Sequence, residues 1–334
     1  MSAAAGGTAD TRAQPAPPRD SYYGQPIIKE PVWTPEIPWY FFFGGLAGAS
    51  GTLALLCGSR HPALARRAWL TSMAGLTISP ALLISDLGRP ERFLHMLRMF
   101  KVTSPMSVGS WVLAGSGATT AVAAAHTVTG RLPLLARVCR PLAGLLGLPL
   151  ATYTGALIAQ TAVPAWHEAR RELPALFGAG AAVSAGAAAV ALAPVDQAEP
   201  ARRLALIGAT AELALVALME HRLEDLGEPY HEGAAAAYGQ SARALTVAGA
   251  MMLAGPARRR RSAAVAGGAM LLTGALCERW SVFKAGLQSA RDPKYTVSSQ
   301  RRRIRGGRGH DASRRAPSGE RGHGANGRVG EAHA

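Results

Sequence analysis

A chain of 334 residues with 36 Lys and Arg against 21 Asp and Glu carries a formal charge of +15, which in a soluble protein would point to nucleic acid. Here the basic residues fall in short loops beside apolar runs and in the tail, the pattern of a membrane protein, so nucleic acid is excluded as a partner. Three scattered cysteines, Cys57, Cys139 and Cys277, offer no CxxC or other ligand spacing and so exclude an iron–sulfur cluster, a structural zinc or a disulfide framework within this chain.

Residues 1–20 are Ala, Gly, Pro and polar residues without an apolar core, which fits neither a signal peptide nor a folded element. Ser21–Tyr40 holds four prolines and five aromatics. The prolines forbid a regular helix, and the aromatics suit the headgroup level of a bilayer. Eight apolar runs follow: Ile37–Cys57, Ala68–Ser85, Ser107–Thr127, Ala143–Val163, Ala175–Ala193, Leu204–Met219, Ala242–Ala257 and Ser262–Ser281. Roughly 17–25 such residues cross a bilayer as a helix, so an all-α polytopic bundle of about eight transmembrane helices is expected. The seventh run is short and rich in small residues. The division is an extramembrane segment 1–36, a membrane domain 37–281 and an extension 282–334, Arg-rich and disordered from about Ser298.

The loops after runs one, three, five and seven hold twelve Lys and Arg and only two acids, Asp196 and Glu199, whereas the intervening loops hold nine acids. Positive charge in short loops marks the cytoplasmic side. The amino terminus and the loop from Asp86 to Trp111 then face outward across the cell membrane. An even number of spans puts the tail outward too, although Phe283–Ala334 holds twelve Lys and Arg.

Ionisable groups at a bilayer edge are costly and usually have a task. Glu36 and Tyr40 lie one helical turn apart at the mouth of the first span, as interfacial anchor or as ligand groups. Asp86 ends the second span, Gly88-Arg89-Pro90 breaks the helix, and Glu91, Arg92 and His95 follow at helical spacing. They read either as a self-satisfied ion cluster or as a site needing donors and a proton carrier, a task suited to the imidazole. Pro105 can open the third span, and Trp111 can pack or stack. Tyr153 sits inside the fourth span, where a buried phenol needs a partner. Glu212, in the middle of the sixth span, reads as part of a proton path or as an interhelical hydrogen bond. The histidines sit at span ends or in loops, not facing each other within the bundle, so no haem is expected.

Four segments carry a resemblance: Trp39–Gly48, Asp86-Leu-Gly-Arg-Pro-Glu-Arg-Phe93, Thr103-Ser-Pro-Met-Ser-Val-Gly-Ser-Trp111 and Ser289–Thr296. Over residues 21–303 the chain resembles the NrfD/polysulfide reductase membrane subunits, in an actinobacterial-style form often found beside formate-dehydrogenase-like subunits of anaerobic respiration. The resemblance implies an eight-helix anchor without a cofactor of its own. It also implies a four-cluster ferredoxin-like iron–sulfur subunit over the outward loops, a molybdopterin catalytic subunit, and a quinone, such as menaquinone, as substrate. The quinone would sit where span one, the span two/three loop and span four meet. Tyr40 falls where relatives place a quinone-bonding His, and Tyr153 near the span-four Tyr of that site. The expected quinone-binding residues are Glu36, Tyr40, Asp86, Arg89, His95 and Tyr153. Arg92 and Trp111 would dock the partner or stabilise an anion, and Glu212 would carry protons. No residue of this chain is expected to be catalytic by itself. A secondary transporter with Glu212 as coupling carboxylate is the alternative, although no paired broken helices or inverted halves are evident.

Overall fold

Why the chain changes direction where it does is read from its prolines. In the computed structural model, which describes residues 27–300 apart from Pro90 and Ser299, six of the long helices have Pro at the first or second position or within the first turn, where its missing N–H costs nothing. These are α1 (Glu36–Cys57), α2 (Pro62–Asp86), α4 (Pro105–Thr129), α5 (Pro133–Ala159), α7 (Leu173–Leu192) and α8 (Glu199–Leu223). Short helices α3 (Glu91–Met96), α6 (Pro164–Glu168) and α9 (Glu228–His231) lie between them, and α10 (Gly233–Ala254) and α11 (Arg261–Arg291) complete the chain. Residues 293–298 are also helical, and no strand occurs among the described residues. The head 1–20, and nearly all of the tail expected to be disordered, lie outside the described residues.

Six helices are long and apolar enough to cross a membrane: α1, α2, α4, α5, α7 and the stretch Glu199–His231 that begins with α8. The helices α10 and α11 occupy the last two expected spans but fall short on composition, since α10 carries Gln240 and Arg243 and α11 carries Glu278, Arg279 and Lys284. The chain is a multi-pass membrane protein with an all-α fold.

The long helices form two rings of four. In the first, α1 packs on α2, α2 on α4, α4 on α5 and α5 on α1; in the second, α7 packs on α8, α8 on α10, α10 on α11 and α11 on α7. The rings meet along α1, α5, α7 and α11. Small residues let these backbones approach. A Cβ on Gly48 would overlap the Gly147 carbonyl, and one on Gly186 would lie 2.6 Å from the Ala201 carbonyl. Each ring has an even number of long helices with successive ones antiparallel, so the two rings run in the same direction.

Successive helices are antiparallel, and the bundle has two ends. The Asp86 end gathers the start of α1, the 87–104 loop, α6 and α9. The Arg258 end gathers the tight turns at 58–61, 130–132, 193–198 and 255–260. Both described termini lie at the Asp86 end, where Arg291 binds Glu30 at 2.8 Å. Two boundaries differ from expectation by ten residues. Helix α5 begins at Pro133, ten residues before the expected Ala143, because Arg137 and Arg140 extend from a helix end instead of breaking it; Arg140 donates to Thr127 Oγ1 at 3.0 Å. Helix α11 runs ten residues past the expected Ser281, held by Trp166, whose Nε1 donates to the Val282 carbonyl at 2.7 Å.

Candidate functional site

At the Asp86 end, inside the first ring, a cavity of about 130 Å³ lies between α1, α2, α4 and α5. Its polar groups are Tyr40 from α1, Asp86 from the end of α2, Ser110 from α4 and Tyr153 from α5. Its apolar wall includes Trp33, Phe41, Met96 and Met106. Local sequence explains each placement. Pro35 precedes α1, and Tyr40 follows one turn in, buried with 4 % of its surface exposed. Ser104 caps α4 by accepting from the Ser107 N–H at 3.4 Å, and Pro105 starts the helix. That start aims Gly109 at α5, and the Tyr153 ring lies where a Gly109 Cβ would be.

Asp86 has a structural bond as well as a place in the wall. Its Oδ1 accepts from the Thr34 amide at 3.0 Å and from Thr34 Oγ1 at 2.5 Å. The segment before α1 is thereby fastened to the end of α2, and Trp33 is held over the cavity, stacked on Trp166 at 5.4 Å. Among the described residues, neither the Tyr40 nor the Tyr153 hydroxyl makes a hydrogen bond. The Ser110 hydroxyl is engaged, donating to the Met106 carbonyl at 2.8 Å. Two phenols and one carboxylate oxygen are therefore free to meet a ligand with separated polar atoms.

The other expected residues are placed elsewhere. Glu36 opens α1 outside the cavity lining, with Oε2 buried and unpartnered among the described residues. Arg89, Arg92 and His95 are exposed on and before α3, and the only side-chain hydrogen bond Arg92 makes among the described residues is to the Leu87 carbonyl at 3.4 Å. Trp111 is 43 % exposed and meets Phe100 edge-on at 6.3 Å. Arg89, Arg92, His95 and Trp111 thus belong to the outer surface of this end. Glu212 lies in the second ring, 3 % exposed, with both oxygens unpartnered among the described residues.

A larger cleft of about 710 Å³ opens at the Arg258 end between α1, α5, α7 and α8. Its lining is mostly aliphatic. The hydroxyls of Thr52 and Thr152 already donate to the Gly144 and Leu148 carbonyls at 2.7 and 3.2 Å, and Arg203 at its mouth is paired with Glu199 at 2.9 Å. Its remaining basic groups, Arg60 and His61, lie in the loop after α1, and the smaller tyrosine cavity has the better chemistry for a neutral ligand with separated polar atoms.

A family model described as polysulfide reductase, of the NrfD type, matches residues 20–291. The chain belongs to the NrfD/polysulfide reductase family. No curated protein matches it. The match takes in every long helix and all nine residues singled out from the sequence. Within this NrfD-type chain, the last resembling segment, Ser289–Thr296, is a clamp on the Asp86 end. Ser289 Oγ accepts from the Ala165 N–H at 3.3 Å, Tyr295 donates to Glu228 Oε2 at 3.0 Å, and Lys294 pairs with the same carboxylate at 2.9 Å.

Sequence reasoning missed three groups. Trp166 is fully buried against Phe283 and Gly286, yet reads as an ordinary loop tryptophan. Glu278 and Arg279 are buried and paired with each other. Arg279 also donates to the Phe177 carbonyl at 2.9 Å. A Glu-Arg pair inside an apolar run was the available signal.

Proposed function

We propose that this chain is the quinone-reactive membrane anchor of a molybdopterin/iron–sulfur oxidoreductase complex in the cell membrane. The observation that carries the reading is the cavity where Tyr40, Tyr153 and Asp86 converge from three helices with two phenol groups unengaged. A quinone presents two carbonyl oxygens on a flat apolar ring, which suits hydroxyl donors set in the wall of an apolar pocket. At 130 Å³ the cavity is smaller than the roughly 300–1,000 Å³ of ordinary ligand sites. Two of its wall residues, Met96 and Met106, are unbranched and can repack around a ring.

The chain's own residues bind and orient the ring, exclude water and place hydrogen-bond donors at the two oxygens; electrons come from a partner held over the 87–104 loop. The exposed Arg89, Arg92, His95 and Trp111 form the surface for that partner, an iron–sulfur subunit with an acidic rim, beneath a molybdopterin subunit. On this reading the amino terminus and the Asp86 end face the extracytoplasmic side, in keeping with the basic loops at the other end. A formate-dehydrogenase-like complex is the expected setting. The transporter reading has weaker support, because the family match over residues 20–291 is to polysulfide reductase membrane subunits.

Purification of the native complex from membranes tests the reading. Iron, molybdenum and a bound quinone should co-purify with the chain, and quinol should be turned over. A preparation free of iron, molybdenum and quinone overturns it.

A further inference from the structure

The second ring holds a charge imbalance. Glu212 from α8, with Glu278 and Arg279 from α11, is buried beyond nine-tenths, and the guanidinium of Arg279 is paired with Glu278. It also lies over the Phe177 ring at 4.0 Å and bonds that residue's carbonyl. Gly180 gives both groups room, since a Cβ there would lie 2.6 Å from Arg279 Nη2 and 3.2 Å from Glu212 Oε1. The surrounding charges balance among themselves: Glu220 with Arg243, and Glu172 with Arg222 at 2.6 Å. That leaves two carboxyl groups against one guanidinium in an apolar interior, a net charge that burial strongly disfavours. One proton shared by the two acids restores neutrality.

Access to this proton is one-sided. A cavity of about 30 Å³, room for about one water, touches Glu212, Glu278, Thr246 and the Tyr230 hydroxyl and reaches Glu220 and Arg243 toward the Asp86 end. The Tyr230 hydroxyl is itself buried and unpartnered among the described residues. Beyond Glu212, toward the Arg258 end, the ring is closed by Val183, Ala187, Ala205, Ala209, Leu271 and Ala275. A Cβ at Gly208 would lie 2.8 Å from the Val183 nitrogen, and one at Gly268 2.9 Å from the Ala187 carbonyl, so no water fits between these backbones.

The geometry points to Glu212, Glu278 and Arg279 as a one-proton exchange site open only toward the Asp86 end, a reservoir and not a channel through the membrane. A proton enters from water at that end past Glu220 and Tyr230, adds to a carboxylate oxygen of the pair, and leaves the same way. The site communicates with the tyrosine cavity through rings: Phe177, beneath Arg279, meets Phe41 at 5.6 Å, and Phe41 lines that cavity. Balancing charge there with a proton from the same end rests on the quinone reading; the existence of the site does not.

Infrared difference spectroscopy of the full chain in lipid, without quinone or partner, tests the site. Relative to wild type, Glu212→Gln should remove one protonated-carboxyl band, because one acid and one guanidinium remain and are balanced. Glu278→Gln should do the same, and serves if the first variant fails to fold. Arg279→Gln should add a band. Transfer to deuterated water should shift the wild-type band promptly, and Val216→Leu, which fills the small cavity with one methylene, should slow that shift about tenfold or more. Retention of the band in either glutamine variant overturns the proton count. Exchange unaffected by Val216→Leu overturns the one-sided route. Loss of quinone binding with these bands intact would instead count against the quinone reading alone.

Discussion

The Tyr153 ring occupies the space that a side chain on Gly109 would need, so the Gly-Ser-Trp stretch of α4 and the tyrosine of α5 form one unit. Gly109→Ala should push the ring aside and destabilise the protein by about 1–3 kcal/mol, the usual cost of overpacking. Gly117→Ala, on the same helix with nothing within 4 Å, should leave the melting temperature unchanged or raise it slightly. Thermal melts of the two variants in one detergent check the contrast.

Asp86 is expected to matter for order before it matters for chemistry. Thr34→Val removes the hydroxyl bond to Oδ1 and keeps the amide bond. A hydrogen bond to a charged group contributes about 1.5–3 kcal/mol, and half-burial of this one puts the expected loss near the lower figure. Hydrogen exchange should rise locally over residues 28–35, with α2 unaffected. Unchanged exchange there would show that the fastening is not formed.

Arg222 joins the two ends of the α7–α8 hairpin at the Asp86 surface, bonding both Glu172 oxygens and the Glu168 carbonyl. Arg222→Ala leaves Glu172 buried without its counter-charge. Removing one partner of a fully buried pair costs about 3–5 kcal/mol. Arg222 is a third exposed, so solvent screening reduces the expected loss to about 1–2 kcal/mol. Denaturation of the variant, compared with Arg222→Lys, checks it.

Lys294 in the clamp has its ammonium held above the usual lysine range, chiefly by its hydrogen bond to Glu228. A raised value means that its contribution is complete below the unfolded lysine value of about 10.4 and is lost only as pH rises through the folded one. At pH 9 an amine-reactive ester should therefore modify Lys294 slowly. Glu228→Gln should speed that modification, as read by peptide mass spectrometry.

How much of this was legible in the sequence differs by residue. Tyr40, Asp86 and Tyr153 stand out in the sequence as polar groups, a carboxylate at a span end and phenols inside apolar runs, and all three line one cavity. Their convergence on one cavity depends on which helices pack together, which no local pattern states. Arg89 and His95, expected beside them as a donor and a proton carrier, are exposed on and before α3 and do not line the cavity. Glu278 and Arg279 escaped because adjacent opposite charges three residues before an expected span end look like an interface. The helix runs on to Arg291, which buries them. The early start of α10 at Gly233 was hidden in Gly-Ala-Ala-Ala-Ala, a run that favours helix without the hydropathy of a span.

The proposed quinone site rests on the hydroxyls of Tyr40 and Tyr153. Titration of the purified chain with a water-soluble quinone analogue, following tryptophan fluorescence from Trp33 beside the cavity, measures it most directly. Tyr40→Phe and Tyr153→Phe each remove one hydroxyl and leave the fold, and each should weaken binding about 2–10-fold, the equivalent of one hydrogen bond of about 0.5–1.5 kcal/mol. The double variant should lose about the product of the two. Binding unchanged in the double variant would contradict the account.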